Sequence, residues 1–183
     1  ALEVAMSPEE PAWQRADAVW LEIDPQELAP EAATALVAAR AIDPAGRRLD
    51  ELLGADAAAI RATAANAAVD LDRYAAFEPW FAATMITLQA LAGHGYRQQD
   101  GVEHIIERRA RADGKAVHGL EGMEEQLALL DGLEAAQQRD FLRQTLDEYP
   151  QIGAEFARLK TAWQAGDDAA LAALLEQEFA PYP

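Results

Sequence analysis

The stretch KAVHGLEGMEEQ, residues 115–126, decides how this chain folds. A short apolar run gives way to Gly-Leu-Glu-Gly, and an acidic, leucine-rich helix pattern starts directly afterwards. This reads as a strand that ends at the mouth of a helix, with the carboxylate of Glu121 at the junction. A second stretch of the same kind lies far upstream. ADAVWLEIDP, residues 16–25, carries alternating and branched apolar residues closed by Asp-Pro, with Glu22 and Asp24 at its end. Strands are therefore expected at residues 19–23 and 116–120.

Almost everything else reads as helix. PEAATALVAARAI begins with a favourable proline and is stopped by Asp43-Pro44-Ala45-Gly46. RRLDELLG and DAAAIRATAANAAVDLDRYAAF continue at helical spacing, dominated by alanine. EPWFAATMITLQALAGHGY is the most apolar segment. It predicts a buried central helix over 79–92 that begins at Pro79 and ends at Gly93-His94-Gly95. Asp100 is expected to cap the next helix, GVEHIIERRARADG, and four more amphipathic helices follow Gly122. A helical crossover of such length makes parallel pairing of the two strands natural. The predicted fold class is α/β, predominantly helical, with a small parallel sheet and a long helical insertion. Two strands alone are marginal in water. Further strands from outside this chain, or a second copy pairing through exposed sheet edges as a homodimer, are expected to complete the sheet.

Composition narrows the function classes. With 183 residues the chain is expected to form one domain, 1–183. The 15 Lys and Arg against 32 Asp and Glu give a net charge of −17, which repels a nucleic-acid partner. The basic cluster Arg108, Arg109, Arg111 and Lys115 reads as a solvated helix end that complements the dipole. No cysteine is present, so disulfides and thiolate chemistry are excluded. No stretch reaches the length of a membrane span, and ALEVAMSPEE lacks a signal-peptide pattern.

The order SPEEPAWQRADAVWLEIDP, then EPWFAATMITLQALAGHGYRQQDGVEHIIERRARADGKAVHGLEGMEEQLALLDGL, resembles the TraB/PrgY/GumN family, whose animal relatives are the Tiki proteins. A Pro-Trp pair opens a long apolar helix, and a Gly-Lys-x-x-x-Gly-Leu-Glu-type strand leads into a Glu-Gln-Leu helix. The resemblance implies a metal-dependent hydrolase, a peptidase acting on a peptide or protein, in a bacterial envelope setting. It implies a site built from two strand-borne Gly-x-x-His motifs and acidic residues of the same sheet, holding Mn, Co or Zn. Neither strand-borne motif stands in this chain. On the resemblance they belong upstream of Ser7 and beyond the last helices, so residues 1–183 read as the middle part of a longer domain, inactive alone. Gly101-Val102-Glu103-His104 spells the motif at a helix start, where it is coincidental. Glu103 replaces an expected Asp, and Glu78 stands where a basic residue is expected.

Ligands of open α/β sheets gather beyond the carboxyl ends of the strands. Glu22 and Glu121 are expected there as catalytic and metal-ligating residues, side by side and facing a crevice, with Gly119 permitting close backbone approach. The competing reading makes Glu121 a cap for the following helix. Of the histidines, only His118 lies near this end, and a structural or solvent role suits it better than ligation. His94 reads as a helix-end residue and His104 as a helix-surface one. The tryptophans Trp13, Trp20, Trp80 and Trp163 are scattered and read as core or edge packing. The alternative function is a non-enzymatic helical protein-interaction module.

Overall fold

Pro79 fixes its own φ and lacks the N–H that a first helical turn leaves unpaired, so it starts α5, Pro79–Gly93. Pro30 does the same for α2, Pro30–Ala41. The computed structural model describes residues 11–24 and 26–179. The first ten residues, read above for a signal peptide, and Pro25 lie outside the described residues. In chain order, α1 (Pro11–Arg15) leads into β1 (Ala18–Leu21), and the run from Glu22 to Lys115 forms the crossover. It holds α2, α3 (Leu49–Leu53), α4 (Ala57–Asn66), α5 and α6 (Val102–Ala112). β2 (Ala116–Gly119) is followed by α7 (Met123–Asp131), α8 (Ala135–Glu148), α9 (Ile152–Ala165) and α10 (Asp168–Phe179). The strands pair in parallel, Ala18 opposite Ala116 through Leu21 opposite Gly119, as one two-stranded sheet among the described residues. Both fall within a residue or two of the predicted bounds. The predominantly helical α/β class holds.

The core lies in the helices. Leu49 and Leu53 of α3, Ile60 and Ala64 of α4, Ala82, Ala83 and Ile86 of α5, and Leu142 and Leu146 of α8 form one buried cluster. Trp80 is wholly enclosed. α5 is buried along one side only: Met85 and Leu88 remain 36% and 41% exposed, so its apolar composition overstates its burial.

The helix predicted across residues 56–77 is broken. Ala68 takes a left-handed φ of 58°, and Val69 N–H donates to Ala64 O at 2.8 Å, which ends α4; a 3₁₀ turn, Leu71–Tyr74, follows. The same six-to-one bond ends α5 at Gly95, α6 at Gly114 and α9 at Gly166. Only at Ala68 does a Cβ occupy that conformation. Asp100 does not cap α6. Gly101 holds the cap position, and the Asp100 carboxylate accepts from Arg97 Nε at 2.7 Å.

Candidate functional site at the carboxyl end of the strand pair

Beyond the last ladder residues the two chains stay together. Leu120 N–H donates to Leu21 O at 2.8 Å, and Glu121 N–H donates to Glu22 O at 2.9 Å. Strict alternation would set Glu121 on the face of Gly119 and Glu22 on that of Trp20. Both chains bend at these residues, and the side chains meet. The amide of Gln126, in the first turns of α7, donates Nε2–H to Glu22 Oε1 and to Glu121 Oε2, the latter at 3.3 Å. The two predicted carboxylates are thus neighbours joined by one amide. They are exposed rather than sunk in a crevice.

Gly119 is needed for this approach. A Cβ there would stand 2.9 Å from Glu121 O and 3.0 Å from Asp24 N, both backbone atoms. The chain just beyond both strands, Glu121 on one side and Asp24 on the other, is what comes close.

Glu121 does not cap α7. Gly122 is the cap residue; its N–H is accepted by Glu125 Oε2 at 3.1 Å, and Met123 N–H by Glu27 Oε2 at 3.0 Å. Both acids are favoured by the helix N-terminus. Glu27 comes from beyond β1 and ties that chain end to α7. Local sequence carried a weak sign of the Glu125 half, a Glu three residues after the cap, but none of Glu27, which acts across 96 residues.

A second network backs the strand end. Arg111 Nη2 bonds both oxygens of Asp24, at 2.9 and 3.1 Å, and its Nε bonds Glu107, a carboxylate 3% exposed. Gln26 Nε2 donates to the same Glu107 at 2.7 Å. Hydrogen bonds from Arg111 to Glu107 and Asp24 raise the guanidinium's pKa. Trp13 of α1 donates Nε1–H to Asp113 at 2.7 Å beneath the Arg109 guanidinium, 4.7 Å from the ring. Lys115 Nζ lies 5.5 Å from that ring and donates to Ala16 O. Of the basic cluster read as a solvated helix end, Arg109, Arg111 and Lys115 therefore fasten α1 and the chain around β1 to α6 and β2, while Arg108 stays exposed. Electrostatic pairing across the fold, invisible in local spacing, supplies the partners.

The imidazoles stand apart from the two carboxylates. His118 is exposed and stacks on Trp20, ring centroids 4.7 Å apart. His104 lies in the first turn of α6, so Gly101-x-x-His104 is not strand-borne. His94 ends α5 with its ring against Gly153 of α9. Trp13 and Trp80 pack inside, whereas Trp20 and Trp163 are 60% and 52% exposed, so the core half of the packing reading holds for the first two. Among the described residues no group of three or more His, Asp or Glu could hold a metal ion. Two carboxylates with an amide N–H between them leave a transition-metal shell short of nitrogen ligands, so the residues described do not by themselves fit such an ion.

Among the described residues no helix is long and apolar enough to cross a membrane. Comparison with curated proteins and with solved structures gave no match. The model of the TraB/PrgY/gumN family matches residues 5–183, nearly the whole length, and the chain belongs to that family.

Proposed function

We propose that the carboxyl end of the β1–β2 pair is the acidic half of a hydrolytic site acting on a peptide or protein, with Glu121 and Glu22 as its working groups. One observation carries the reading: Glu121 is spared from capping α7, a task done by Glu27 and Glu125, and is held beside Glu22 by Gln126. A carboxylate pair on a rigid strand end suits acid–base chemistry on water or a leaving group. The family resemblance supplies the metal-dependent character, with Mn, Co or Zn as the candidate ions, and a bacterial envelope setting. The nitrogen ligands such a site needs would come from segments that bring strand-borne histidines to this sheet.

The test compares residues 1–183 with a longer protein carrying Gly-x-x-His strands on both sides. The chain alone is expected to bind Mn²⁺, Co²⁺ or Zn²⁺ weakly by calorimetry and to cleave no peptide; the longer protein gains both. In the longer protein, Glu121→Gln keeps the shape and removes the charge, so it should impair turnover far more than the unfolding midpoint. Full activity in that variant would refute the role.

A second reading, an interaction module, is favoured by the outer face of the sheet. Trp20 and Leu120 are 60% and 70% exposed there, beside His118. A two-stranded sheet also leaves backbone groups on its outer edges for another copy to pair with. Multi-angle light scattering should then show a dimer that Trp20→Ser converts to monomer. A monomer at high protein concentration would remove this reading.

A further inference from the structure

The turn that ends α4 borders a pocket of about 80 Å³, walled by the 3₁₀ turn Leu71–Tyr74, by α5 and by Tyr149 at the end of α8. Ile86 and Tyr74, 1% and 7% exposed, form its buried side, and Val69 adds apolar wall. Asp70 and Arg73, both exposed, are the charged groups that line it. Neither serves the site at the strand ends.

The polar groups around this pocket are only partly committed. The Tyr74 hydroxyl donates to Gln89 Oε1 at 2.5 Å, which orients that amide and leaves its Nε2 hydrogens unused among the described residues. Asp70 Oδ1 accepts from Asp72 N–H at 3.1 Å, and its other oxygen accepts nothing there. The Tyr149 hydroxyl has no partner among the described residues. Arg73 makes no ion pair or side-chain hydrogen bond among them either, although Arg40, Arg47, Arg61, Arg111 and Arg139 are each taken by a carboxylate.

Opposite charges three residues apart close into ion pairs at Arg97 and Asp100 and at Asp140 and Arg143. Asp70 and Arg73 do not, even though residues three apart in a 3₁₀ turn lie one above the other. An anion and a cation on one rim, unpaired with each other and with any other charge, suit a ligand that carries both signs on a short span. A simple anion would meet Asp70 and the field of a chain with net charge −17, and a simple cation would meet Arg73.

We propose that this pocket binds the zwitterionic head of a small free α-amino acid. Its carboxylate lies against Arg73, Gln89 Nε2 and the Tyr149 hydroxyl, its ammonium against Asp70, and its α-substituent on Ile86 and Val69. A space of about 80 Å³ suits a substituent no larger than a methyl group, as in glycine or alanine. A peptide bond removes one of the two charges, so the free amino acid is the ligand. The proposal is independent of the hydrolytic reading.

The test uses the full chain. Glycine and L-alanine are titrated calorimetrically and by amide chemical shifts, with sodium chloride at matched ionic strength as control. N-acetyl-L-alanine, which keeps only the negative charge, and L-alaninamide, which keeps only the positive one, are titrated beside them. Saturable one-to-one binding of L-alanine is expected, with shifts at Val69 to Tyr74, and each single-charge analogue should bind about tenfold more weakly or worse, the loss associated with one hydrogen bond to a charged partner. Arg73→Gln and Asp70→Asn should each weaken L-alanine binding by a similar factor. Asp70→Asn keeps the oxygen that Asp72 N–H uses, and circular dichroism checks the fold of both variants. Arg108→Gln, which removes an exposed arginine elsewhere, should leave binding unchanged. No saturation beyond the sodium chloride control, a single-charge analogue that binds as tightly as L-alanine, binding that survives either pocket variant, or an equal loss in Arg108→Gln would overturn the proposal.

Discussion

The cluster of α3, α4, α5 and α8 and the corner formed by α1, β1, α6, β2 and α7 are held together differently. In the first, Leu49, Leu53, Ile60, Ile86, Leu142 and Leu146 meet with at most 1% exposure each. In the second, beside the buried Trp13, Leu21 and Ala110, polar contacts span the chain: Trp13 to Asp113, Arg111 to Asp24, Glu27 to Met123 and Gln126 to Glu22. Apolar burial is non-directional and is not screened by salt, whereas the corner depends on aimed donors and partly exposed charges. The cluster supplies the bulk of stability, and the corner supplies geometry. A site that must hold two carboxylates side by side is placed where geometry is set by hydrogen bonds.

Breaking the apolar side should cost most. Leu142→Ala empties a fully buried position and is expected to lower stability by roughly 3 kcal/mol, measured by urea unfolding, with no dependence on salt. Gly119→Ala attacks the corner through the backbone. Its Cβ meets two backbone atoms at 2.9 and 3.0 Å, so it should cost about 2 kcal/mol and speed amide exchange at Leu120 and Glu121. An unchanged exchange rate would mean that the strands tolerate separation.

Trp13→Phe keeps a ring under Arg109 and Lys115 but removes the N–H given to Asp113. A loss of roughly 1.5 kcal/mol is expected, shrinking toward that of a neutral packing change in 1 M salt. A salt-independent loss would show that packing, not charge, holds α1 in place. Ala68→Gly goes the other way. It supplies the residue that ends the other helices with the same bond, and should gain about 1 kcal/mol by relieving the left-handed Cβ contact.

The smallest expected effect is a pair of opposed pH dependences. Hydrogen bonds from the Arg47 side chain and backbone hold Asp43 at about 2, below its ordinary 3.8. Its stabilisation is present above pH 3.8 and is lost as the pH falls toward 2. Glu78 runs in reverse: burial raises it above 4.5 against the Gln138 donor. Its neutral form favours the fold fully below pH 4.5, and that advantage is lost as the pH rises through the raised value. Thermal melts across this range should show Glu78→Gln flattening the second loss while leaving the acid loss intact. Parallel profiles would assign the neutral-side change to another group.

Local chemistry was enough for much of the fold. Alternating apolar residues closed by Asp-Pro and by Gly-Leu-Glu-Gly marked the two strands, Pro30 and Pro79 marked two helix starts, and a long helical run between the strands marked their parallel pairing. Each of these signals acts within a few residues, where backbone sterics and hydrogen bonding are fixed by residue type. The adjacency of Glu22 and Glu121 followed from the same reasoning, because parallel strands bring their carboxyl ends together. The break at Ala68 escaped it. Alanine carries high helix propensity, and only the packing of Leu71 and Tyr74 against the core explains the turn.

Partners were decided by the tertiary structure. Gln126 reaches Glu22 across 104 residues, Glu27 caps α7 across 96, and Gln138 meets Glu78 across 60. A hydrogen bond acts over about 3 Å and carries no trace in sequence spacing when its ends are that far apart along the chain. The sequence by itself determined the elements, their order and the parallel pairing, because propensity and periodicity are local. Which carboxylates cap a helix, which stand beside one another on a shared amide and which lie buried depended on where the packed helices brought the side chains.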